Sequence, residues 1–334
     1  MLATSSFRVL NSFRRTLLSR SLQTSVAARN IPSPASFPAP PPPVHENPSL
    51  KPEPQQPLQQ QPDANPYPSL DNAATTNGPT THFGFRTVPE EAKESLVKQV
   101  FGAVAPSYDL MNDVMSAGVH RLWKDHYIRT LAPGPDTTLL DVAGGTGDIA
   151  FRFLDYVKSQ HGSMGGAKVT VVDINPAMLE VGKKRAVQLG HSDPERLSFM
   201  EGNAENLSQI ADASVDAYTI AFGIRNCTHV DRVLAEAYRV LKPGGRLAVL
   251  EFSSVNNPLL APLYEFYSFN VIPAMGDLVA GDRASYAYLV ESIRKFPTQQ
   301  AFRDMIVDAG FKVEGAGWED LTFGVAAIHS GFKI

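Results

Sequence analysis

A glycine-rich run at residues 141–148 (DVAGGTGD) is the strongest chemical signal in the sequence, because it stands where a predicted buried strand turns into a predicted helix. Glycines at such a turn let the backbone approach a ligand without a clash at Cβ, and the helix N-terminus offers free N–H groups. Residues 145–150 also match the GxGxxG/A pattern of dinucleotide sites. The run therefore predicts a nucleotide site without deciding which nucleotide binds.

Acidic and polar residues near this run distinguish between two kinds of nucleotide. Asp173 ends the second predicted strand, 26 residues after Gly147, where its carboxylate can accept hydrogen bonds from both hydroxyls of an adenosine ribose. An NAD site usually has this acid about twenty residues on. Asp141 would repel a pyrophosphate but attract a sulfonium and an amino group, and residues 202–205 (GNAE) can flank an adenine. These features favour S-adenosylmethionine, with an NAD-dependent dehydrogenase as the alternative.

The histidines and the cysteine show no pattern that predicts a further site. His120, His126 and His229 lack the spacing of metal ligands, so we expect structural or surface roles for them and no metal. Cys227 is the only cysteine, which excludes an intramolecular disulfide and a cysteine-rich zinc site. No base is paired with it in a nucleophilic arrangement, and we expect it to serve packing.

Short apolar runs alternate with amphipathic stretches from residue 82 onward, and they predict the elements that position these residues. Helices are expected at residues 90–104, 112–131, 148–158, 175–189, 230–241 and 298–309, and strands at residues 138–143, 168–173, 197–200, 215–221 and 246–252. Such alternation indicates an α/β fold with a doubly wound, mostly parallel sheet. Residues 311–318 and 325–332 have no helix between them, so we expect a C-terminal antiparallel hairpin that completes a seven-stranded sheet.

The first eighty residues differ in composition from the rest of the chain. Residues 1–30 contain five arginines, six serines and no acid, which is typical of a mitochondrial transit peptide; a basic tail that binds nucleic acid or lipid is the alternative. Residues 31–80 contain fifteen prolines and are expected to form a disordered linker. Residues 81–334 then form one large domain, with N-terminal helices at 81–135 and an apolar insertion at 253–297.

Net charge argues against a nucleic-acid partner. The chain has a formal charge of −4, and removal of the five arginines of residues 1–30 leaves −9. A domain that acidic is a poor match for phosphate backbones. No stretch is long and apolar enough to cross a bilayer, so we expect a soluble or peripheral protein.

Several blocks of the sequence resemble one enzyme family. The runs DVAGGTGD, VVDINPAML, GNAENL and VLKPGGRLAVLEF resemble class I S-adenosylmethionine-dependent methyltransferases, which implies the fold of that class. The runs FGAVAPSYDLMNDVMSAGVHRLWKD, FGIRN and KFPTQQAFRDMIVDAGF are similar to the UbiE-type C-methyltransferases of ubiquinone and menaquinone biosynthesis. The resemblance covers residues 99–334. It implies that S-adenosylmethionine donates a methyl group to a ring carbon of a 2-methoxy-6-polyprenyl-1,4-benzoquinol.

By motif position, the resemblance also implies two groups of site residues. Cofactor contacts are implied for Thr146, Asp173, Asn203 and Ala204, with Asp141, Gly145 and Asp148 completing the pocket. Catalytic roles are implied for Arg225 and Asn226 of FGIRN, which can stabilise a developing phenolate, while Tyr108 and Asp109 are candidates to close over the site.

The roles of two of these residues have alternatives. Arg225 stays protonated and cannot be a simple proton acceptor, so we expect it to orient a water that removes the proton. A structural ion pair of Arg225 with Asp231 is the alternative. Tyr108 could equally be a core aromatic whose hydroxyl caps a neighbouring helix.

The family further implies a hydrophobic substrate and membrane surroundings. We expect residues 253–297 to form a lid for the polyprenyl tail; a helix packed on the sheet beside a dimer seam is the alternative. The opposite wall is expected to include Met111, Met115, Leu122 and Trp123. Expected partners are other enzymes of a ubiquinone-biosynthesis complex, the matrix face of the mitochondrial inner membrane and a second copy of the chain. Two other functions stay open: methylation of another phenolic substrate, and a non-catalytic scaffold.

Overall fold

The computed structural model describes residues 78–105, 108–280 and 283–334. The expected transit peptide at residues 1–30 lies outside this part of the chain. The expected linker at residues 31–80 also lies outside it, except for its last three residues. Thr80, the end of that expected linker, already belongs to a strand.

Two strands and three helices precede the main sheet. β1 (Thr80–Phe83) and β2 (Arg86–Pro89) form an antiparallel hairpin that the sequence pattern did not predict. α1 (Glu90–Val104) forms as expected. The single helix predicted at residues 112–131 is wrong, because α2 (Tyr108–Ser116) and α3 (Val119–Leu131) are separate. Between them Ala117 and Gly118 have φ angles of 47° and 77°, which a right-handed helix does not accommodate.

Seven strands make up the main sheet. They are β3 (Thr138–Val142), β4 (Lys168–Asp173), β5 (Leu197–Glu201), β6 (Val215–Ala221), β7 (Leu241–Phe252), β8 (Trp318–Leu321) and β9 (Ala326–Phe332). Their order across the sheet is β5-β4-β3-β6-β7-β9-β8, with β3 to β7 parallel and β9 antiparallel to both of its neighbours. This order confirms the predicted doubly wound, mostly parallel sheet with an antiparallel hairpin at one edge.

Two predicted strand boundaries are wrong. The penultimate strand is Trp318–Leu321 rather than residues 311–318, because the chain turns at Gly315, which has a φ of 55°. β7 begins five residues earlier than predicted, since Leu241 already pairs with Val215 ahead of a register shift.

Helices cover both faces of the sheet, as a parallel sheet requires. α4 (Asp148–His161), α5 (Pro176–Leu189) and α6 (Val230–Val240) connect successive strands. Tyr127 of α3 is completely buried in one core cluster and donates its hydroxyl to the Ala248 carbonyl of β7 at 2.6 Å. Leu234 of α6 packs in the cluster on the other face.

The apolar insertion at residues 253–297 is mainly helical. It contains α7 (Ala261–Phe266), a π-helical turn (Tyr267–Val271), α8 (Ile272–Ala280) and α9 (Arg283–Lys295), and α10 (Gln299–Asp308) follows it. The insertion packs on the N-terminal elements. Tyr288 of α9 stacks on Phe83 of β1 with ring centroids 4.2 Å apart, and the Tyr267 hydroxyl donates to the Met115 carbonyl at 2.6 Å. In the part of the chain that the structure describes, we find no helix with the length and apolarity needed to cross a membrane.

The order of the strands reverses between β3 and β6, which creates a crevice at their carboxyl ends. Ala143 and Phe222, which directly follow these two strands, have φ angles of 50° and 56°. Residues with a Cβ rarely adopt such angles, and strained backbone of this kind clusters at ligand sites. The reversal of strand order and the strained backbone both indicate a ligand site in this crevice.

Candidate active site

A cavity of about 340 Å³ opens at the carboxyl ends of β3, β4 and β6. The seven residues predicted to bind the cofactor all line it: Asp141, Gly145, Thr146, Asp148, Asp173, Asn203 and Ala204. α1 supplies the wall that faces them, including Glu90 and Glu94. We call this space the first cavity.

The glycine-rich turn forms the floor of the first cavity. A Cβ on Gly144 would lie 2.7 Å from Oδ2 of Asp141 and 2.8 Å from Cγ1 of Val171, so no larger residue fits. Gly145 has a φ of 52°, and its backbone N–H donates to Oδ2 of Asp173 at 2.9 Å. The turn thus brings the ends of β3 and β4 together.

Asp141 is completely buried, and only one of its two carboxylate oxygens has a hydrogen-bond partner. Its Oδ1 accepts a hydrogen bond from the Thr219 hydroxyl at 2.8 Å, but its Oδ2 has no partner. Burial raises the pKa of this carboxyl to about 7, and the nearby Asp148 and Asp173 add to the increase. A ligand that brings a positive charge or a hydrogen-bond donor would satisfy the free oxygen.

Asp173 is also buried but better supported. Its Oδ1 accepts from the Asn175 N–H at 2.8 Å and its Oδ2 from the Gly145 N–H at 2.9 Å. Burial raises the pKa of Asp173 to about 6, although both hydrogen bonds oppose the increase. Each carboxylate oxygen still has a lone pair for a ligand hydroxyl.

α1 is fastened over the first cavity by polar contacts. The Asn203 side chain donates to Oε2 of Glu94 at 3.1 Å, and the Asn175 side chain donates to the Lys98 carbonyl at 3.1 Å. Lys93, which is buried, donates to the Cys227 carbonyl at 3.0 Å. The sequence pattern gave no sign that α1 would contribute to the site.

Asp148 differs from the other two aspartates because cations surround it. Its Oδ2 lies 2.8 Å from Nζ of Lys124, and its Oδ1 lies 3.3 Å from Nε of Arg152 and 4.0 Å from Nη2 of Arg185. Burial alone would raise its pKa, but Lys124 and Arg152 lower it to about 2. Its charge is therefore compensated by protein groups before any ligand binds.

Asp109 lies with the cofactor loop rather than with Arg225. Its Oδ2 pairs with Nη1 of Arg185 at 2.7 Å, and the same nitrogen donates to the Thr146 hydroxyl at 2.8 Å. Asp109 is not among the residues that line either cavity of this region. Its contacts therefore fasten α2 to α5 and argue against the catalytic role expected for it. Tyr108 begins α2, but its side chain lies outside the described part of the structure.

A second cavity, of about 310 Å³, adjoins the first. Phe101, Lys124 and Phe222 line both cavities and form the boundary between them. The remaining lining is mostly apolar or aromatic and includes Val100, Val104, Met115, Val119, Trp123, Phe252, Tyr264, Tyr267, Ile272, Tyr288, Leu289 and Ile293. Met115 and Trp123, which were expected in the wall opposite the insertion, both line this cavity. Leu122 is wrong, because its side chain is 64% exposed, and the Met111 side chain lies outside the described residues.

Arg225 is the buried cation of the second cavity. Its Nη1 donates to Oε1 of Glu251 at 2.9 Å and to the Phe222 carbonyl, and its Nε donates to the Ser292 hydroxyl at 3.3 Å. Within the described residues, Nη2 has no hydrogen-bond partner. The ion-pair partner is therefore Glu251 of β7 and not Asp231, and Nη2 is left for a ligand.

Asn226 lies on the other side of the boundary from its neighbour. It lines the first cavity, and its Oδ1 accepts a hydrogen bond from the Tyr288 hydroxyl at 3.0 Å. The pair Arg225 and Asn226 thus faces both cavities from one short 3₁₀ turn (Ile224–Asn226). Tyr288 and Ser292 were missed by the sequence analysis, because they come from α9, more than sixty residues later.

Some of the histidines lie at the surface, whereas others and the cysteine line the two cavities. His126 pairs with Glu319 at the surface, as expected, and His229 pairs with Glu90 at 3.2 Å while lining the first cavity. His120 is buried and lines the second cavity. Burial raises the pKa of the Cys227 thiol to about 12, which keeps it protonated. Among the described residues, we find no group of three His, Cys, Asp or Glu side chains that could hold a metal ion.

Comparison with known proteins gives consistent similarities over most of the chain. The mitochondrial 2-methoxy-6-polyprenyl-1,4-benzoquinol methylase of Dictyostelium discoideum is 56% identical over 274 residues, covering 76% of this chain and 86% of that protein. The human protein of the same name is 53% identical over 281 residues, covering 76% and 84%. The crystal structure of the cyclase SpnF, at 18% identity and a TM-score of 0.50, covers 72% of this chain and 96% of its own and shows likeness of fold alone.

Family membership follows from these similarities together with the cavities at the strand ends. Residues 88–333 match the ubiE/COQ5 methyltransferase family. That stretch contains every residue of the two cavities described above. The chain therefore belongs to the ubiE/COQ5 methyltransferase family and is an S-adenosylmethionine-dependent methyltransferase.

Proposed function

We propose that this protein methylates a ring carbon of 2-methoxy-6-polyprenyl-1,4-benzoquinol in ubiquinone biosynthesis, which gives the 5-methylated benzoquinol. The observation that carries the proposal is the second cavity, an apolar space that adjoins the cofactor cavity and contains one buried guanidinium. A phenolic ring with a long hydrocarbon tail matches that combination, since the ring oxygens need a donor and the tail needs apolar walls. The printed names of the relatives agree with this substrate.

The first cavity fits S-adenosylmethionine in its charges and in its shape. The unpartnered Oδ2 of Asp141 suits the positive groups of the methionine part, and the absence of a Cβ at Gly144 leaves room beside it. Asp173 would accept hydrogen bonds from the ribose hydroxyls, and Asn203 and Ala204 would flank the adenine. S-adenosylmethionine supplies an electrophilic methyl group on a sulfonium when it is bound.

Arg225 is proposed to stabilise the phenolate that forms when a ring hydroxyl loses its proton, because the phenolate gives the ring carbon the electron density it needs to attack the methyl group. Glu251, Ser292 and the Phe222 carbonyl occupy its Nη1 and Nε, so the guanidinium cannot turn and Nη2 is the group available to the substrate. A fixed donor in an apolar cavity needs no reorganisation at the moment of reaction. Asn226, held by Tyr288, is proposed to keep the ring close to the boundary between the two cavities.

We also propose peripheral binding to the matrix face of the mitochondrial inner membrane, through the outer side of the insertion. Tyr264, Tyr267 and Ile272 line the second cavity from inside. On the outer side, large apolar side chains are solvent-exposed: Leu259 by 86%, Leu263 by 65%, Phe266 by 61% and Leu278 by 87%. Leu263 and Phe266 belong to α7, Leu278 belongs to α8, and Leu259 lies two residues before α7. The insertion is thus apolar on both sides, as expected of a gate between a bilayer and a lipid-binding cavity.

Cations border this outer apolar face. Arg294 lies over the Phe269 ring at 5.4 Å, and Lys295 lies over the Phe85 ring at 5.8 Å. Aromatic rings beside basic side chains suit the interface of an anionic bilayer. Mitochondrial relatives support the compartment, while association with other enzymes of the pathway and with a second copy of the chain rests on the family resemblance alone.

Product analysis tests the proposed reaction. We expect the purified protein to convert S-adenosylmethionine and a short-chain polyprenyl analogue of the benzoquinol into a product with a new C-methyl group, identified by mass spectrometry and NMR. An O-methyl product, or transfer to simple phenols at the same rate, would contradict the proposal.

If the cofactor binds in the first cavity and the ring in the second, substitutions in the two cavities should affect different steps. We expect Asp173→Ala to weaken binding of S-adenosylhomocysteine by about tenfold to a hundredfold, because two hydrogen bonds to a carboxylate are lost. Arg225→Lys should lower turnover by about a hundredfold and leave that binding unchanged, since a lysine still compensates Glu251 but cannot form the same fork of contacts. Calorimetry and initial rates measure the two effects. Equal loss of binding in both variants would show that the assignment of the cavities is wrong.

Cofactor binding should depend on pH through Asp141. Because the pKa of the free protein's Asp141 is raised to about 7, the group is mostly protonated at pH 6 and must lose its proton to face a cation. We expect affinity for S-adenosylmethionine to rise by about tenfold from pH 6 to pH 8, with proton release seen by calorimetry in two buffers at pH 6. Asp141→Asn should bind more weakly and lose most of this dependence, whereas an unchanged dependence in the variant would refute the role of Asp141.

Vesicle binding tests the outer face of the insertion. Replacing Leu259, Leu263 and Phe266 together by serine should weaken binding to vesicles of phosphatidylcholine and phosphatidylglycerol by more than about tenfold, because three large apolar side chains no longer enter the bilayer. Val187→Ser with Leu189→Ser is a matched control, since both side chains are exposed on α5, away from the insertion. If the triple variant binds vesicles normally but changes the oligomeric state in light scattering, the face is a contact between two copies.

A further inference from the structure

The second cavity must also take up a proton, because a ring carbon that gains a methyl group loses its hydrogen. Of the ionisable groups that line this cavity in the described residues, most are unsuited to accept it. Lys124 is paired with Asp148, Arg225 with Glu251, and the tyrosine hydroxyls are protonated at neutral pH. His120 is the exception, since a neutral imidazole carries one free lone pair.

Hydrogen bonds to Ser116 determine which nitrogen of His120 carries that lone pair. The Ser116 hydroxyl donates its single hydrogen to the Asn112 carbonyl at 2.7 Å. The same oxygen lies 2.7 Å from Nδ1 of His120, in a contact whose direction depends on the tautomer of the ring; with the serine hydrogen directed to Asn112, Nδ1 is the donor. The neutral imidazole therefore has its hydrogen on Nδ1 and its lone pair on Nε2.

Nε2 has no hydrogen-bond partner among the described residues, although charged groups surround it. Oδ1 of Asp113 on α2 is the nearest acid, at 3.7 Å, which is too long for a hydrogen bond. Lys124 and Arg121 on α3 and Asp148 on α4 are the other charged groups that act on the ring. Burial lowers the pKa of His120 to about 4, with Lys124 and Arg121 in support and the two aspartates opposed. The ring is therefore neutral at physiological pH.

We propose that Nε2 of His120 is the base that accepts the ring proton after methyl transfer, so that no water oriented by Arg225 is needed. This inference rests on the proposed function, because it needs an aromatic carbon as the methyl acceptor. It makes His120 a catalytic residue, and Ser116 the positioning residue that sets its tautomer.

Two bond changes at one ring carbon make up the reaction. The ring carbon forms a C–C bond to the methyl group as the C–S bond breaks and leaves its electron pair on sulfur. The C–H bond at the same carbon then breaks, its electron pair restores the aromatic ring, and the proton binds to Nε2. A weak base is enough for this step, because the methylated ring that still carries the hydrogen is a strong acid.

Asp113 gives the proton a way out of the cavity. A protonated His120 would be stabilised by the Asp113 carboxylate at 3.7 Å, which is 26% exposed and pairs with the exposed Arg121. Because Asp113 approaches the same nitrogen and is partly exposed, the proton can pass from Nε2 through this carboxylate toward solvent. In the resting protein the same carboxylate raises the basicity of the imidazole against the effect of burial.

Kinetics of His120→Ala with a substrate deuterated at the methylated carbon test the proposal. We expect turnover to fall by about a hundredfold or more, with the Michaelis constant and the affinity for S-adenosylhomocysteine within about twofold of wild type. A primary isotope effect should appear in the variant and be small in the wild type, and added imidazole should restore part of the turnover. His126→Ala, on the exposed side of the same helix, is the matched control and should behave as wild type.

Spectroscopy of the free protein gives an independent readout. Long-range ¹H–¹⁵N spectra should show His120 neutral at pH 7 with its hydrogen on Nδ1, and Ser116→Ala should shift the tautomer and lower turnover without loss of cofactor binding. The Nε2–H tautomer or a protonated ring in the wild type would overturn the proposal. So would a His120→Ala variant with normal turnover, or a slow variant with neither isotope effect nor rescue. A wild type that makes only an O-methyl product would instead refute the proposed function.

Discussion

The buried ion pair between Arg225 and Glu251 is the interaction on which the site depends. Both side chains are almost fully buried, and their nearest atoms lie 2.9 Å apart. A lone guanidinium in a mostly apolar cavity would be too costly in desolvation, whereas a paired one can be held there. Glu251 also accepts from the backbone N–H of Arg225 and from that of Phe252. One carboxylate thus fixes the turn after β6 and the end of β7, and so fixes the boundary between the two cavities.

The insertion contacts the same ion pair, because α9 supplies a hydrogen-bond partner for Arg225. Ser292 accepts from Arg225, and Tyr288 donates to Asn226, so one face of α9 holds both members of the turn. Tyr288 also stacks on Phe83 in the N-terminal hairpin. Through these contacts the insertion positions the two residues that stand at the boundary between the cavities.

Three aspartates around the first cavity differ in pKa, because burial acts on all three but only one of them is paired with cations. Asp148 is compensated by Lys124 and Arg152, and its pKa is lowered to about 2. Asp141 and Asp173 have only hydrogen bonds from neutral groups, and burial raises their pKa values to about 7 and 6. These two carboxyl groups therefore lack a compensating cation, and a cationic, hydroxyl-rich ligand would stabilise their charged forms. In the second cavity the roles are reversed: the buried charge is the cation Arg225, and its Nη2 has no partner among the described residues.

The sequence by itself determined what depends on local pattern, and the tertiary structure decided which distant side chains meet. Strand periodicity, the glycine-rich turn and the acids beside it predicted the parallel sheet, its antiparallel edge and the lining of the first cavity. The Glu251 partner of Arg225, the contact of Tyr288 with Asn226 and the location of His120 in the second cavity were not predictable in this way. Backbone conformation follows from neighbours along the chain, whereas burial, pairing and pKa follow from elements packed together from remote positions. The chemistry of this site depends on the second kind of information.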